Sequence, residues 1–498
     1  MDLDCERQYK ISDIVHVSHQ SHPQFNVTDP TKKRIRDARQ AFEQLRSQEV
    51  EIYGTTTGFG ALVDHGASPN GESQGNNLIN HLGAGTGDIF APQITRGAMI
   101  LRAITLARGY SGIRPKCFDQ YINLIQSGMV PAVPKTGSVG ASGDLIPMAN
   151  VAMALRGDGQ ILDPNKGKLK PAREFFQNCS VDSLEMKSRD ALAIVNGVPF
   201  CASLAVHSIA QSMKLLNIAE HLTAWAYGSL GCSKEALSVL INNLKGHPEQ
   251  TISAERLRTI LSEKTYNHTV ERPLQEPYSL RAAPQIYGAV RKQCKHAQNT
   301  VIDEINGVDD NPVIDADSSH PTVAHGANFM SQNLAFAMDN LNQALTQIGN
   351  IIEKQLAILL DPGQNNGLEK MLTPNPGAHS GLAGAQINAT ALLSEMRNNC
   401  QSYATSSLPT NGQNQDVVPM GLEAGKNCYR QTDRLGQLLA IMGMSLVQYD
   451  WLYEQKKGEN LSNKPDWFPN IKPLETDRPL RAEIKQIAEE LVDDTTVQ

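Results

Sequence analysis

No stretch of this 498-residue chain reaches the ~18 uninterrupted apolar residues of a membrane span, so no membrane association is expected. The opening Met1-Asp2-Leu3-Asp4-Cys5-Glu6 lacks the charged-then-apolar pattern of a secretory leader, which points to a cytoplasmic protein. Long runs of one charge are missing too, since 45 basic and 52 acidic residues leave a net charge of −7. A mildly acidic chain without basic tracts is a poor match for nucleic acid as a main partner. The eight cysteines (Cys5, Cys117, Cys179, Cys201, Cys232, Cys294, Cys400 and Cys428) lie far apart, with no Cys-x-x-Cys and no His-Glu-x-x-His. Neither a disulfide framework nor a zinc site is expected, and the thiols read mostly as reduced packing residues. Asp309-Asp310-Asn311 falls short of a calcium loop and reads alone as a turn or helix cap. Strand-like alternation is sparse, and short-period repeats and low-complexity tracts are absent.

What the chain has instead is helical periodicity. With 40% hydrophobic residues it can bury a large core, and single cores stop growing near ~250–300 residues, so two or more packed subregions are expected. Leu334, Met338, Leu341, Leu345, Ile348, Ile352, Leu356 and Leu359 step by threes and fours. They place one apolar stripe on a helix of about 27 residues, roughly 40 Å long, which Asp361-Pro362-Gly363 ends. Further helices fit 201–228, 382–404, 427–453 and 480–493, whereas the first ~195 residues are punctuated by glycine and proline. The expected fold is mainly α: a loop-rich, mixed N-terminal domain over 1–195 and a long helical bundle over 196–498. A stripe that long suits a subunit interface, with a large monomeric bundle as the alternative.

The chemistry is concentrated in Gly137-Ser138-Val139-Gly140-Ala141-Ser142-Gly143-Asp144. Alone, Ala-Ser-Gly in a stretch framed by Pro131, Pro134 and Pro147 reads as a loop. The same triplet can also become an electrophile. The Gly143 nitrogen attacks the Ala141 carbonyl carbon and one water leaves, closing a five-membered ring; loss of the Ser142 hydroxyl as a second water leaves a methylidene-imidazolone. Gly143 has no Cβ to obstruct closure, Ala141 is small, and Ser142 carries the β-hydroxyl that departs. No ordinary side chain is electrophilic, so such a group implies covalent catalysis.

Taken with Tyr53-Gly54-Thr55-Thr56-Thr57-Gly58-Phe59-Gly60, this string resembles the aromatic amino acid lyase family, which comprises the histidine, phenylalanine and tyrosine ammonia-lyases and related aminomutases. The resemblance runs over nearly the whole chain. It implies that Ala141, Ser142 and Gly143 form the electrophile, without a metal or dissociable cofactor, and that Tyr53 is the catalytic base. A phenol with a pKa of ~10 needs positive potential nearby to serve as a base. In Gln275-Glu276-Pro277-Tyr278-Ser279-Leu280-Arg281 it implies that Tyr278 assists proton or amine handling and that Arg281 grips the substrate carboxylate through its planar fork. Asn196, Asn311 and Phe329 match pocket positions, as do Gln275, Asn414 and Gln415. His81-Leu82 matches the pair that in this family goes with tyrosine, and neutral Gln415 stands where histidine ammonia-lyases carry a glutamate. The resemblance further implies a homotetramer whose sites are shared between subunits, and a size like that of bacterial members. Two departures stand out: Thr55 replaces a usual apolar residue, and Gln74-Gly75 replaces a usual Leu-Gln. The leading expectation is a tyrosine ammonia-lyase; an aminomutase, a histidine ammonia-lyase and a non-enzymatic helical scaffold are the other readings.

Overall fold

The structure is a computed structural model that describes residues 1–67, 71–163, 167–178, 181–263, 272–316, 320–459, 461 and 464–493. It is dominated by helices, as expected, and among the described residues the strands pair only two by two. The apolar stripe becomes the helix Gln332–Leu360, and all eight of its predicted positions are buried. That burial occurs within a single chain, so the stripe supplies core and is not evidence of a subunit interface. The other expected helices appear as Pro199–Leu230, Ala383–Asn398, Gly421–Lys457 and Arg481–Asp493. Ala383–Asn398 ends six residues before the predicted 404, at an Asn398-Asn399 pair whose side chains compete with the helical backbone. Cys179 lies outside the described residues.

Two compact units are found. One comprises Met1–His207, Gln298–Asp339 and Ser402–Lys426; the other comprises Ser208–Ala297, Asn340–Gln401 and Asn427–Gln498. This division differs from a single cut at 195, because later stretches of chain return to complete the first unit.

Within the first unit the helix Pro92–Ala107 is buried almost all round. Its one-sided neighbours are apolar, but Arg102 on it is also buried, and its charge is matched on the spot. Nη1 bonds Asp309 at 3.0 Å, Nη2 pairs with Asp310 at 3.1 Å, and Nε donates to the Ala193 carbonyl at 2.7 Å. Arg189 donates to the Pro312 carbonyl at 3.0 Å and also to that of Ser111. Buried charges persist only when so paired, and removing one partner strands the other. The network therefore fixes both the 309–312 segment and the turn at Asn196-Gly197-Val198, whose Val198 N–H donates to Asp309 at 2.7 Å. Gly197 sits at φ +133°, and a Cβ there would lie 2.5 Å from Arg102 Nη1, so only glycine fits.

Candidate active site

The electrophile segment runs from the short strand Pro134–Thr136, paired antiparallel with Thr86–Ile89, into the helix Leu145–Arg156. Gly143 stands at φ +73°, and a Cβ on it would lie 1.9 Å from the Gly197 carbonyl oxygen. The adjacent Asp144 N–H donates to that same carbonyl at 2.6 Å. Glycine at 143 thus serves two needs: the nitrogen is unobstructed for ring closure, and the two backbones can approach this closely. Asn196 Nδ2 donates to the Ser142 carbonyl at 3.2 Å, and Gln415 Nε2 donates to the Ser142 hydroxyl oxygen. Ser142 is therefore held at its carbonyl by Asn196 and at its hydroxyl by Gln415.

Asp144 was not singled out by the sequence. It is wholly buried at the start of Leu145–Arg156, yet its carboxylate does not cap that helix. It accepts instead from the Cys201 N–H at 2.8 Å, near the beginning of Pro199–Leu230, from the Cys201 thiol at 3.1 Å and from the Ser138 hydroxyl at 3.1 Å. Burial pushes its pKa up to about 6, and these donors oppose the shift. An acidic residue just before a helix reads as an ordinary cap, which is why its role escapes sequence inspection. Cys201, expected to be a packing thiol, is part of this anchor.

Tyr53 lies in a turn closed by Thr55 and Thr56 N–H donations to the Ile52 carbonyl, at 3.0 and 2.9 Å. Its hydroxyl accepts the Gly60 N–H at 2.8 Å, and its backbone N–H donates to His325 Nε2 at 3.2 Å. Phe59 meets the ring edge-on, with centroids 6.1 Å apart. Burial raises the Tyr53 pKa and the Gly60 N–H opposes this. The positive potential expected to favour its ionised form is not what dominates within this chain; removal from water is.

The helix Gly71–Leu82 carries His81 and Leu82 and packs against Leu145–Arg156 and Ser188–Val195, so three helices bring His81-Leu82, the Ala141-Ser142-Gly143 segment and Asn196 together. A cavity of about 330 Å³ results, and Tyr53, Ala141, Ser142, Gly143, His81, Leu82, Asn196, Phe329 and Gln415 all line it. Asn196 Oδ1 is buried with no hydrogen-bond partner among the described residues, an acceptor available to a bound ammonium group. Phe59, Thr410 and Asn411, which the sequence did not flag, also contribute to the wall.

Five expected residues lie elsewhere. Asn311 is buried with its Oδ1 accepting the Gly326 N–H at 2.9 Å, off the cavity wall. Asn414 is exposed beside Gln415. Gln275, Tyr278 and Arg281 belong to the second unit, where they line a different cavity of about 450 Å³. There the short helix Tyr278–Arg281 is pinned by Tyr227 Oη donating to the Leu280 carbonyl at 2.9 Å and by Gln355 donating to that of Ser279 at 2.7 Å. The Arg281 guanidinium stacks 4.5 Å from the Tyr278 ring centroid, and its Nε is buried without a partner among the described residues.

The helical fold brings the Ala-Ser-Gly segment and Tyr53 to one cavity of about 330 Å³. Comparison with known proteins gives its family: the pattern defining the aromatic amino acid lyase family matches residues 9–464, and the chain belongs to that family. It is 36% identical to a tyrosine ammonia-lyase of Cupriavidus metallidurans, over 83% of this chain and 81% of that one. It is 33% identical to a histidine ammonia-lyase of Geobacillus thermodenitrificans, over 82% and 80%. The crystal structure of a tyrosine aminomutase from Streptomyces globisporus superposes with a TM-score of 0.91 at 28% identity, covering 99% of this chain and 96% of that one. The protein is accordingly a carbon–nitrogen lyase by family.

Proposed function

We propose that this protein is a tyrosine ammonia-lyase, converting L-tyrosine to trans-4-coumarate and ammonia. The observation that carries the reading is the single cavity lined by Ser142, Tyr53 and the His81-Leu82 pair. Ala141, Ser142 and Gly143 would hold the methylidene-imidazolone, which would supply the electrophilic methylene needed to make an amine a better leaving group. Tyr53 takes the β-proton, Asn196 orients the amine and carboxylate end, and His81 hydrogen-bonds the phenol while Leu82 and Phe329 pack on the ring. Arg281 grips the carboxylate and Tyr278 assists proton handling. Family membership supports a homotetramer in which each site draws those two from a neighbouring subunit. The protein is taken to act in the cytoplasm with no metal or dissociable cofactor.

The resemblance to the tyrosine aminomutase supports a second reading, in which the same groups retain the cinnamate and ammonia and return nitrogen to the β carbon. Histidine as substrate is disfavoured, because neutral Gln415 offers imidazolium no carboxylate. One experiment addresses all three. The purified protein is weighed intact and then incubated with L-tyrosine, L-phenylalanine and L-histidine, with chromatography of unsaturated and β-amino acids. The expected result is a mass lower than the translated chain by two waters and coumarate as main product. Ser142→Ala should restore the full mass and remove nearly all turnover. A full-mass protein with undiminished activity would overturn the electrophile; dominant β-tyrosine would replace the lyase reading with the aminomutase one.

A further inference from the structure

Gln74 stands where the chain departs from its family, and it has a partner at the active site. It lies on the helix Gly71–Leu82, on the same face as Leu78 and His81, which follow it by four and seven residues. Leu78 and His81 line the cavity; Gln74, buried to 7% exposure, instead donates from Nε2 to the Thr57 carbonyl at 3.0 Å. Thr57 belongs to the loop that carries Tyr53. That loop is a hydrogen-bonded unit in itself: Gly58 N–H donates to His65 at 2.8 Å and Ala67 N–H to Thr56 at 2.9 Å. Gly54 N–H donates to Thr57 Oγ1 at 3.1 Å, and Gly60 N–H to the Tyr53 hydroxyl at 2.8 Å. A unit so closed on itself moves as one piece, and Gln74 ties it to the helix that reads the substrate ring.

The closure is finely balanced. Gln74 Oε1 and Thr55 Oγ1 are both buried with no hydrogen-bond partner among the described residues. A buried acceptor without a donor disfavours the state that buries it, so both atoms favour a loop arrangement open to water. The Gln74–Thr57 bond acts in the opposite direction.

We propose that Gln74 is the latch of the Tyr53 loop, a positioning residue that sets the phenol of Tyr53 in register with the ring held by His81. The inference rests on the lyase reading for its kinetic consequence, though the latch itself does not. Substrate enters and product leaves when the latch opens, and the β-proton is taken when it is shut.

The test compares wild type with Gln74→Met, which keeps the apolar stem and removes the donor. Amide exchange at Gly58, Gly60 and Ala67 is expected to rise on the order of tenfold, the factor that loss of one net hydrogen bond produces. With L-tyrosine, kcat is expected to fall while KM changes little, and the isotope effect from β-deuterated tyrosine is expected to grow as proton removal becomes slower than product release. A loss of folded protein would lower kcat without moving the isotope effect. Intact mass confirms that the electrophile has formed in both proteins. If Gln74→Met does not fold, Gln74→Leu, which is uncharged and has no donor, is measured in the same way. Unchanged exchange in the loop overturns the latch, and a fall in kcat, counted per folded active site, with an unchanged isotope effect overturns the positioning role. If wild type turns over no tyrosine, the lyase reading fails while the exchange measurement still decides the latch.

Discussion

His81→Phe should exchange the preference for tyrosine for a preference for phenylalanine. The structure supplies the donor and acceptor assignment. His81 Nδ1 lies 3.1 Å from the Asn77 carbonyl, one turn back on its helix. A carbonyl only accepts, so in the neutral ring Nδ1 carries the proton and Nε2 is left as an acceptor. A tyrosine phenol can donate to it; phenylalanine cannot. Losing such a bond, with one polar partner stranded, costs about 1–2 kcal/mol, or roughly five- to thirtyfold in kcat/KM. The lower end applies if water reaches the imidazole, which is exposed in the isolated chain. The variant should lose that factor on tyrosine and gain on phenylalanine, because its apolar end now meets an apolar ring. Leu82, buried beside it, should pack on the substrate ring in both proteins. The assay is kcat/KM for both amino acids with both proteins, following the ultraviolet absorbance of the cinnamates. A tyrosine-to-phenylalanine ratio unchanged by the substitution would show that His81 does not read the ring, and the assignment of tyrosine would lose its main residue-level support.

Tyr53→Phe keeps the ring against Phe59 but removes the hydroxyl that accepts Gly60, so kcat should fall by ~10²–10⁴-fold, the usual span for loss of a general base, with assembly unchanged in size-exclusion chromatography. Retained turnover would transfer the role to Tyr278. Arg281→Met should instead raise KM more than it lowers kcat, as expected of a residue that binds the carboxylate, and equal loss of both would argue against the clamp. His207 makes a test of stability. Burial lowers its pKa to about 4, helped by His19 and opposed by the Ser203 carbonyl. A base whose folded pKa lies below its unfolded value of 6.5 contributes stability that is complete above pH 6.5 and is lost as pH falls towards 4. The loss amounts to about 3 kcal/mol, and denaturant unfolding between pH 7 and 4 should show a shallower decline in His207→Gln by about that amount. An identical decline in both proteins would remove His207 from the acid sensitivity.

The sequence by itself determined the helical class, because apolar spacing of three and four is a local property that burial must satisfy. Leu334 through Leu359 announce Gln332–Leu360 almost residue for residue. It also supplied the basis for the proposed electrophile, since Ala141-Ser142-Gly143 carries in its covalent structure everything that ring closure would consume. Tyr53 and His81-Leu82 were legible through the company they keep, as motifs in a recognisable order. What only the tertiary structure decided are relations between residues far apart in the chain. Asp144 reads as a helix cap until the fold places its carboxylate on Cys201, 57 residues away. Gly197 reads as a turn until Arg102 and Asp309 close around it. The stripe on Gln332–Leu360 could have faced a partner subunit, and its burial within the chain was settled by packing alone. The first unit takes in 298–339 and 402–426 for the same reason. Periodicity and motif are written along the chain, whereas burial of charge, pairing of polar groups and the composition of a compact unit depend on which distant segments return to one another.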